Sequence, residues 1–293
     1  MPVPSARQPV IILGMHRSGT SMVSQLLDQL GLFVGRELQD DHESTYFLSI
    51  NETIFARVGA SWDNPLPMRY FLANPDAVQM TAGAVAADLS SRRIGTFFSP
   101  RGIFSRQSLK NFDRPWGWKD PRTIFTLPVW LQLFPDARLI YIIRNGVDVA
   151  SSLMVREQRL LERRKSRFEA RLAAKLSHRS TLERAGYKGS PRCFTLDGGF
   201  DMWREYVEEA DRQLKGLSNP ILSMRYEDIL EDPQKHLTEM AKFNQLDGAT
   251  PAAVEQAAAK VNKSRARAFS GDRVLAGFYE KIRNDPWMVR HGY

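Results

Sequence analysis

Four consecutive apolar residues, Val10-Ile-Ile-Leu13, run without polar alternation into Gly14-Met-His-Arg-Ser-Gly-Thr-Ser21 and then into the stripe Met22, Val23, Leu26, Leu27 and Leu30. An apolar run of that length is a strand covered on both faces, which is the habit of parallel sheets. Gly14 and Gly19 bracket a tight turn, Thr20 or Ser21 is placed to cap the helix that follows, and Gly31 is placed to end it. Strand, glycine turn and helix together aim backbone N–H groups and the positive end of a helix at an anion. The chain is therefore expected to build an open α/β sheet with a phosphate-type loop at the end of its first strand.

Spacing narrows the chemistry. Gly14, Gly19 and Ser21 occupy the positions of the first glycine, second glycine and hydroxyl of a Walker-type loop, but Thr20 stands where that loop has its lysine. A nucleoside triphosphatase or small-molecule kinase would thereby lose its main β/γ-phosphate cation. Arg17 supplies a cation within the turn instead, and its planar fork suits phosphoryl or sulfuryl oxygens.

Three further stretches carry chemistry-bearing residues. Trp116-Gly-Trp-Lys-Asp-Pro-Arg122 reads as a short strand or bend that buries its rings and turns Lys119, Asp120 and Arg122 away, with Pro121 opening a helix. Arg138-Leu-Ile-Tyr-Ile-Ile143 is a second buried strand, and it runs into Arg144-Asn-Gly and a helix carrying Ser152. Ile221 to Met224 is a third strand, followed by a polar turn at Arg225–Asp228 and a helix from Asp232-Pro233. Helices are also expected over 76–94 and 251–262, and Lys263, Arg265 and Arg267 form a late basic turn.

Composition bounds the alternatives. With 293 residues, 43% of them hydrophobic, the chain suffices for one large α/β domain or two small ones, and no run approaches the length of a membrane span. A single cysteine, Cys193, excludes an internal disulfide and a cysteine zinc site; with no separate apolar leader, the expectation is a cytoplasmic protein without a metal. The net charge of +8 suggests nucleic acid, but 156–192 holds twelve Lys/Arg against four Glu and so accounts for the whole excess. A local patch of this kind gathers a small anion beside the loop or forms a solvated helix; nothing in the sequence favours a polyanion-binding module without catalysis.

In order, Gly14–Ser21, Trp118-Lys-Asp-Pro-Arg122, Arg138–Ser152 and Arg225-Tyr-Glu-Asp-Ile-Leu-Glu-Asp-Pro233 resemble the motifs of sulfotransferases that use 3′-phosphoadenosine 5′-phosphosulfate (PAPS), especially the bacterial carbohydrate and small-metabolite group. The resemblance implies a three-layer, P-loop-like fold with a central parallel sheet flanked by helices, as one domain over 1–293. It implies that His16, Arg17, Ser18, Gly19, Thr20 and Ser21 cradle the 5′-phosphosulfate, that Arg144 and Ser152 hold the 3′-phosphate, and that Lys263, Arg265 and Arg267 close over the nucleotide. Lys119 resembles the lysine that approaches the transferring group, against the alternative of an ion pair with Asp120. The product would be the 3′,5′-bisphosphate PAP.

Transfer to an alcohol needs a base within about 2.6–3.2 Å of the hydroxyl. Many of these relatives carry an acid just after Tyr-Phe or Trp behind the first helix; here Tyr46-Phe47 is followed by Leu48. Asp40, Asp41, His42 and Glu43 remain, and Glu43 is the preferred base, with His42 and Asp41 next. The acceptor is expected to be a hydroxyl of a carbohydrate, lipid or small metabolite, and the arginines of 156–200 suit an anionic one if that segment is a helical insertion or lid bordering its site.

Overall fold

The computed structural model describes residues 2–99, 102, 107–172 and 189–293. The chain divides into two compact units, Met1–Asn145 with Glu205–Arg267, and Gly146–Arg204 with Ala268–Tyr293.

The first unit is built on four parallel strands: β1 (Val10–Leu13), β2 (Gly117–Lys119), β3 (Arg138–Ile143) and β4 (Ile221–Arg225), in the order β2-β1-β3-β4. Ile12 lies opposite Lys119 on one side and Ile140 on the other, so these three share a face. On that face Val10, Ile12, Ile140, Ile142 and Met224 bury the stripe Val23, Leu26, Leu27 and Leu30 of helix α1 (Thr20–Gln29). Each such side chain gains about 1.5–3 kcal/mol on leaving water. The opposite face carries Ile11 and Trp118 and is covered by α2 (Thr45–Arg57) and, past α3 (Pro67–Leu72), α4 (Pro75–Leu89) and α5 (Gly95–Phe98), by α6 (Thr123–Leu133). Phe47 of α2 stacks on Trp118 at 4.3 Å between centroids, and Trp130 of α6 packs at 4.8 Å from the same indole. Helix, sheet and helix thus form three layers.

In the second unit the long helix α7 (Gly146–Leu172) meets the start of α8 (Leu196–Leu214), where a Cβ on Gly199 would stand 3.0 Å from Ala150 Cα. Phe200 and Trp203 cover Gly146. The buried Asp148 carboxylate accepts the Phe269 N–H at 3.0 Å. Much of the expected insertion at 156–200, residues 173–188, lies outside the described residues; residues 156–172 simply continue α7.

Four sequence expectations are corrected. α1 starts at Thr20 behind Gly19, and neither Thr20 nor Ser21 caps it; the N-cap is Gly19 in the left-handed region, with no side-chain acceptor. The turn expected at Arg225–Asp228 is mostly helix, α9 (Tyr226–Glu231), because Tyr226 and Glu227 are buried and anchor it; α10 (Pro233–Phe243) then follows as expected. α4 ends at Leu89, where Ser90 and Ser91 divert the chain into a separate turn at Arg92–Ile94, and α11 (Pro251–Ala258) is likewise shorter than the sequence suggests. Lys119 and Asp120 are both buried. The helices α12 (Arg273–Ile282) and α13 (Pro286–Arg290) close the chain.

Candidate active site

In an open parallel sheet, ligands collect beyond the carboxyl ends of strands where the connections change direction. That point lies between β1 and β3, since the chain passes from β1 to one neighbour and then crosses back to the other. The loop 14–19 leaves β1 there, and Arg144 leaves β3 beside it.

The loop is tied tightly. Ser18 donates its hydroxyl to the Met15 carbonyl at 2.6 Å, Arg17 adopts φ 70° and Gly19 φ 95°. A Cβ at Gly14 would sit 2.5 Å from the Ile142 carbonyl oxygen, so the loop lies directly on β3. A Cβ at Gly19 would enter the Tyr226 ring, 2.2 Å from Cδ2. Glycine at N-cap leaves the first-turn amides of α1 without a side-chain acceptor, a disposition suited to an exogenous anion.

Arg144 joins the loop to the late basic turn. It is buried, donates from Nη1 to the Arg17 carbonyl at 3.1 Å and from Nη2 to the Arg265 carbonyl at 3.4 Å, and lies over the Tyr226 ring at 4.8 Å. Glu227, next to that ring, accepts the Asn145 N–H at 3.0 Å and so fixes the turn after β3. Lys263, Arg265 and Arg267 are exposed, and Lys263 reaches the Glu231 carbonyl at 3.3 Å.

The other half of the site is a buried chain of polar atoms. Lys119, on the α1 side of β2, donates from Nζ to Ser21 Oγ at 3.1 Å and to Glu43 Oε1 at 2.9 Å. Lys119 and Glu43 side chains are 1% and 8% exposed, so this pair is held in a dry setting directly against the anion loop. Burial pushes the Glu43 carboxyl above its ordinary range and the neighbouring Asp120 charge acts in the same direction; Lys119 and Arg122 pull it down, and the upward effects win. A carboxylate with raised proton affinity beside a fixed ammonium is equipped to take a proton while the ammonium offsets negative charge at the loop.

Of the other acids considered, Asp40 and Asp41 are exposed, and His42, with φ 59°, turns its Nε2 to within 3.4 Å of Asp28 on α1. Lys119 does not pair with Asp120, which instead holds Arg122. His16 packs edge-on against Trp62 at 5.1 Å and Tyr206 at 5.9 Å, and the Tyr206 hydroxyl donates to the Trp62 carbonyl at 2.7 Å. No motif marks Trp62 or Tyr206 as part of the site; only the helical phase of Tyr206, buried in α8, turns it inward. Ser152 is half-buried on α7 of the second unit.

The sequence model described as the sulfotransferase family matches residues 9–251, a span that takes in the loop, Glu43, Lys119, Arg144 and β4. The chain belongs to the sulfotransferase family. Solved structures similar to this sulfotransferase include a sulfotransferase domain from the curacin biosynthetic pathway, at 15% identity over 96% of this chain and 98% of that one, with a TM-score of 0.45. Sulfotransferase STF1 from Mycobacterium tuberculosis H37Rv is 13% identical over 94% and 76% of the two chains, with a TM-score of 0.47. Mouse sulfotransferase SULT7A1, solved with PAP, is 13% identical over 91% and 67%, with a TM-score of 0.44. Among curated proteins no sequence matches the chain. No described helix is long and apolar enough to cross a membrane, and the described residues contain no cluster able to hold a metal ion.

Proposed function

We propose that this sulfotransferase transfers a sulfuryl group from PAPS to a hydroxyl of a carbohydrate, lipid or small metabolite by direct in-line displacement, with Glu43 as the base. The observation that carries the reading is the Lys119 ammonium, which touches both Ser21, in the first turn of α1 behind the anion loop, and the Glu43 carboxylate.

The residues present suit the donor. The uncapped start of α1 and the glycine cradle accept a phosphosulfate, and the buried Arg144 guanidinium, with the basic turn Lys263, Arg265 and Arg267, suits the 3′-phosphate. When bound, PAPS supplies the activated sulfuryl group and a bisphosphorylated leaving group. Arg17 and the loop amides orient its anionic end, and Lys119 offsets the charge that grows on the bridging oxygen. Glu43 takes the acceptor's proton, and the low exposure of the pair keeps water from competing. The family match runs through residues of both compact units, which supports reading the chain as one sulfotransferase domain.

A radiolabelled donor incubated with a library of hydroxyl acceptors tests the reading. Wild type is expected to label an acceptor, E43Q to lose turnover while still binding PAP, and R17E to lose PAP binding measured by calorimetry. Tight PAP binding by R17E, or unchanged turnover by E43Q, refutes the respective assignment.

A further inference from the structure

Behind the Glu43–Lys119 pair lies a second buried carboxylate, Asp120, fully excluded from solvent at the end of β2. It accepts from Asn51 Nδ2 at 2.9 Å, from the Arg122 N–H at 3.0 Å and from Arg122 Nη1 at 3.1 Å. Asn51 is saturated. Its amide also donates to Thr123 Oγ1 at 3.0 Å, and its Oδ1 accepts from Thr126 Oγ1 at 2.8 Å and Trp130 Nε1 at 2.9 Å. Arg122 continues outward to Glu52 at 3.1 Å, one residue beyond Asn51 on α2.

The topology gives this network a consequence. α2 begins at Thr45, two residues after Glu43, and Asp120 directly follows Lys119. Asn51 to Asp120 is therefore a cross-link between the helix that begins just after the base and the strand that ends on the cation. A fully satisfied buried network of this kind specifies one geometry, because losing any member strands a polar group.

We propose that Asp120, held by Asn51 and Arg122, is a positioning residue that keeps Glu43 in register with Lys119 and places a negative charge behind the base. The inference rests on the reading of Glu43 as the base. The charged groups that act on the Glu43 carboxyl are Asp120, which raises its proton affinity, and Lys119 and Arg122, which lower it. Removing the Asp120 charge weakens the upward effect; adding a carboxylate at Asn51 strengthens it.

The test is a carbon-13 titration of the Glu43 carboxyl in the free protein, its signal identified by loss in E43Q, run beside the pH dependence of kcat/KM. In D120N the titration and the acid limb are expected to move down together by about half to one pH unit. In N51D both are expected to move up, while PAP affinity stays within about twofold in either variant. Opposite shifts do not arise from a general loosening of the fold, and either variant alone carries the sign if the other fails to fold. A Glu43 titration unmoved in D120N and N51D overturns the proposal. If the titration moves while E43Q keeps the wild-type acid limb, the base assignment fails and the tuning role of Asp120 in catalysis falls with it.

Discussion

Replacing Gly19 by alanine is expected to damage stability and donor binding through one ring. The new Cβ would lie 2.2 and 2.3 Å from Tyr226 Cδ2 and Cε2, on a backbone at φ 95°. The left-handed conformation costs an L-residue about 1–2 kcal/mol, and forcing a methyl into packed atoms costs about 1–3 kcal/mol more. G19A should thus lose about 2–5 kcal/mol. Gly31 is the control: its φ is 107°, but nothing lies within 4 Å of an added Cβ, so G31A should lose only the backbone part, about 1–2 kcal/mol. Displacing the ring also unseats Arg144, which lies 4.8 Å over it. A hydrogen bond to a charged group is worth about 1.5–3 kcal/mol, so PAP affinity should fall about 10- to 150-fold in G19A and not in G31A. Urea unfolding followed by far-ultraviolet circular dichroism, with calorimetric PAP titration, reads both effects. In a Y226A background the G19A penalty should shrink to its backbone part. Strict additivity of the two substitutions, or equal costs for G19A and G31A, would refute the collision with Tyr226.

Other outcomes follow from the charged groups. K119M strands the buried Glu43 carboxylate and should destabilise by about 3–5 kcal/mol near pH 8; the deficit should shrink on acidification as Glu43 takes up a proton, and a pH-independent deficit in denaturant titrations would count against the buried pair. Because the Glu43 carboxyl is raised in the folded state, the stabilisation from its protonation is complete below the ordinary glutamate range and is lost as pH rises through the raised value. E43Q should therefore gain stability relative to wild type over that interval, read from melting temperatures across pH. Arg225 hydrogen-bonds Asp228 and holds its carboxyl below the ordinary range, so that pair's contribution is present above that range and disappears as pH falls through the lowered value. With both side chains about one-third exposed, D228N should cost less than about 1 kcal/mol at pH 7 and nothing at low pH, as judged by acid unfolding.

β1 and β3 were legible because each is an apolar, largely β-branched run that only a parallel sheet covers on both sides, and the loop because its glycines are demanded by contacts at Ile142 and Tyr226. Glu43 and Lys119 were each visible as candidates, but not as partners. They stand 76 residues apart in sequence, and the adjacent Asp120 was the nearer claimant for the lysine. Period-two geometry sends consecutive residues of a strand to opposite faces, which is why Lys119 reaches α1 while Trp118 faces α2. Asn51 was hidden for a different reason: a polar residue in an apolar helix stripe shows neither its burial nor its four partners until α6 is packed against it. Tyr226 looked like part of a polar turn because its neighbours are charged, yet it supports Gly19 and Arg144 together.

The indoles around β2 also give the molecule a built-in reporter. Trp116, Trp118 and Trp130 are fully buried, with the Trp118 ring 6.1 Å from Trp116 and 4.8 Å from Trp130. Near-ultraviolet ellipticity, which depends on fixed aromatic packing, will therefore be weighted toward the wall immediately behind Lys119. Loosening confined to that wall will register optically before the helical signal fades, so the integrity of the wall behind Lys119 can be followed without donor, acceptor or turnover.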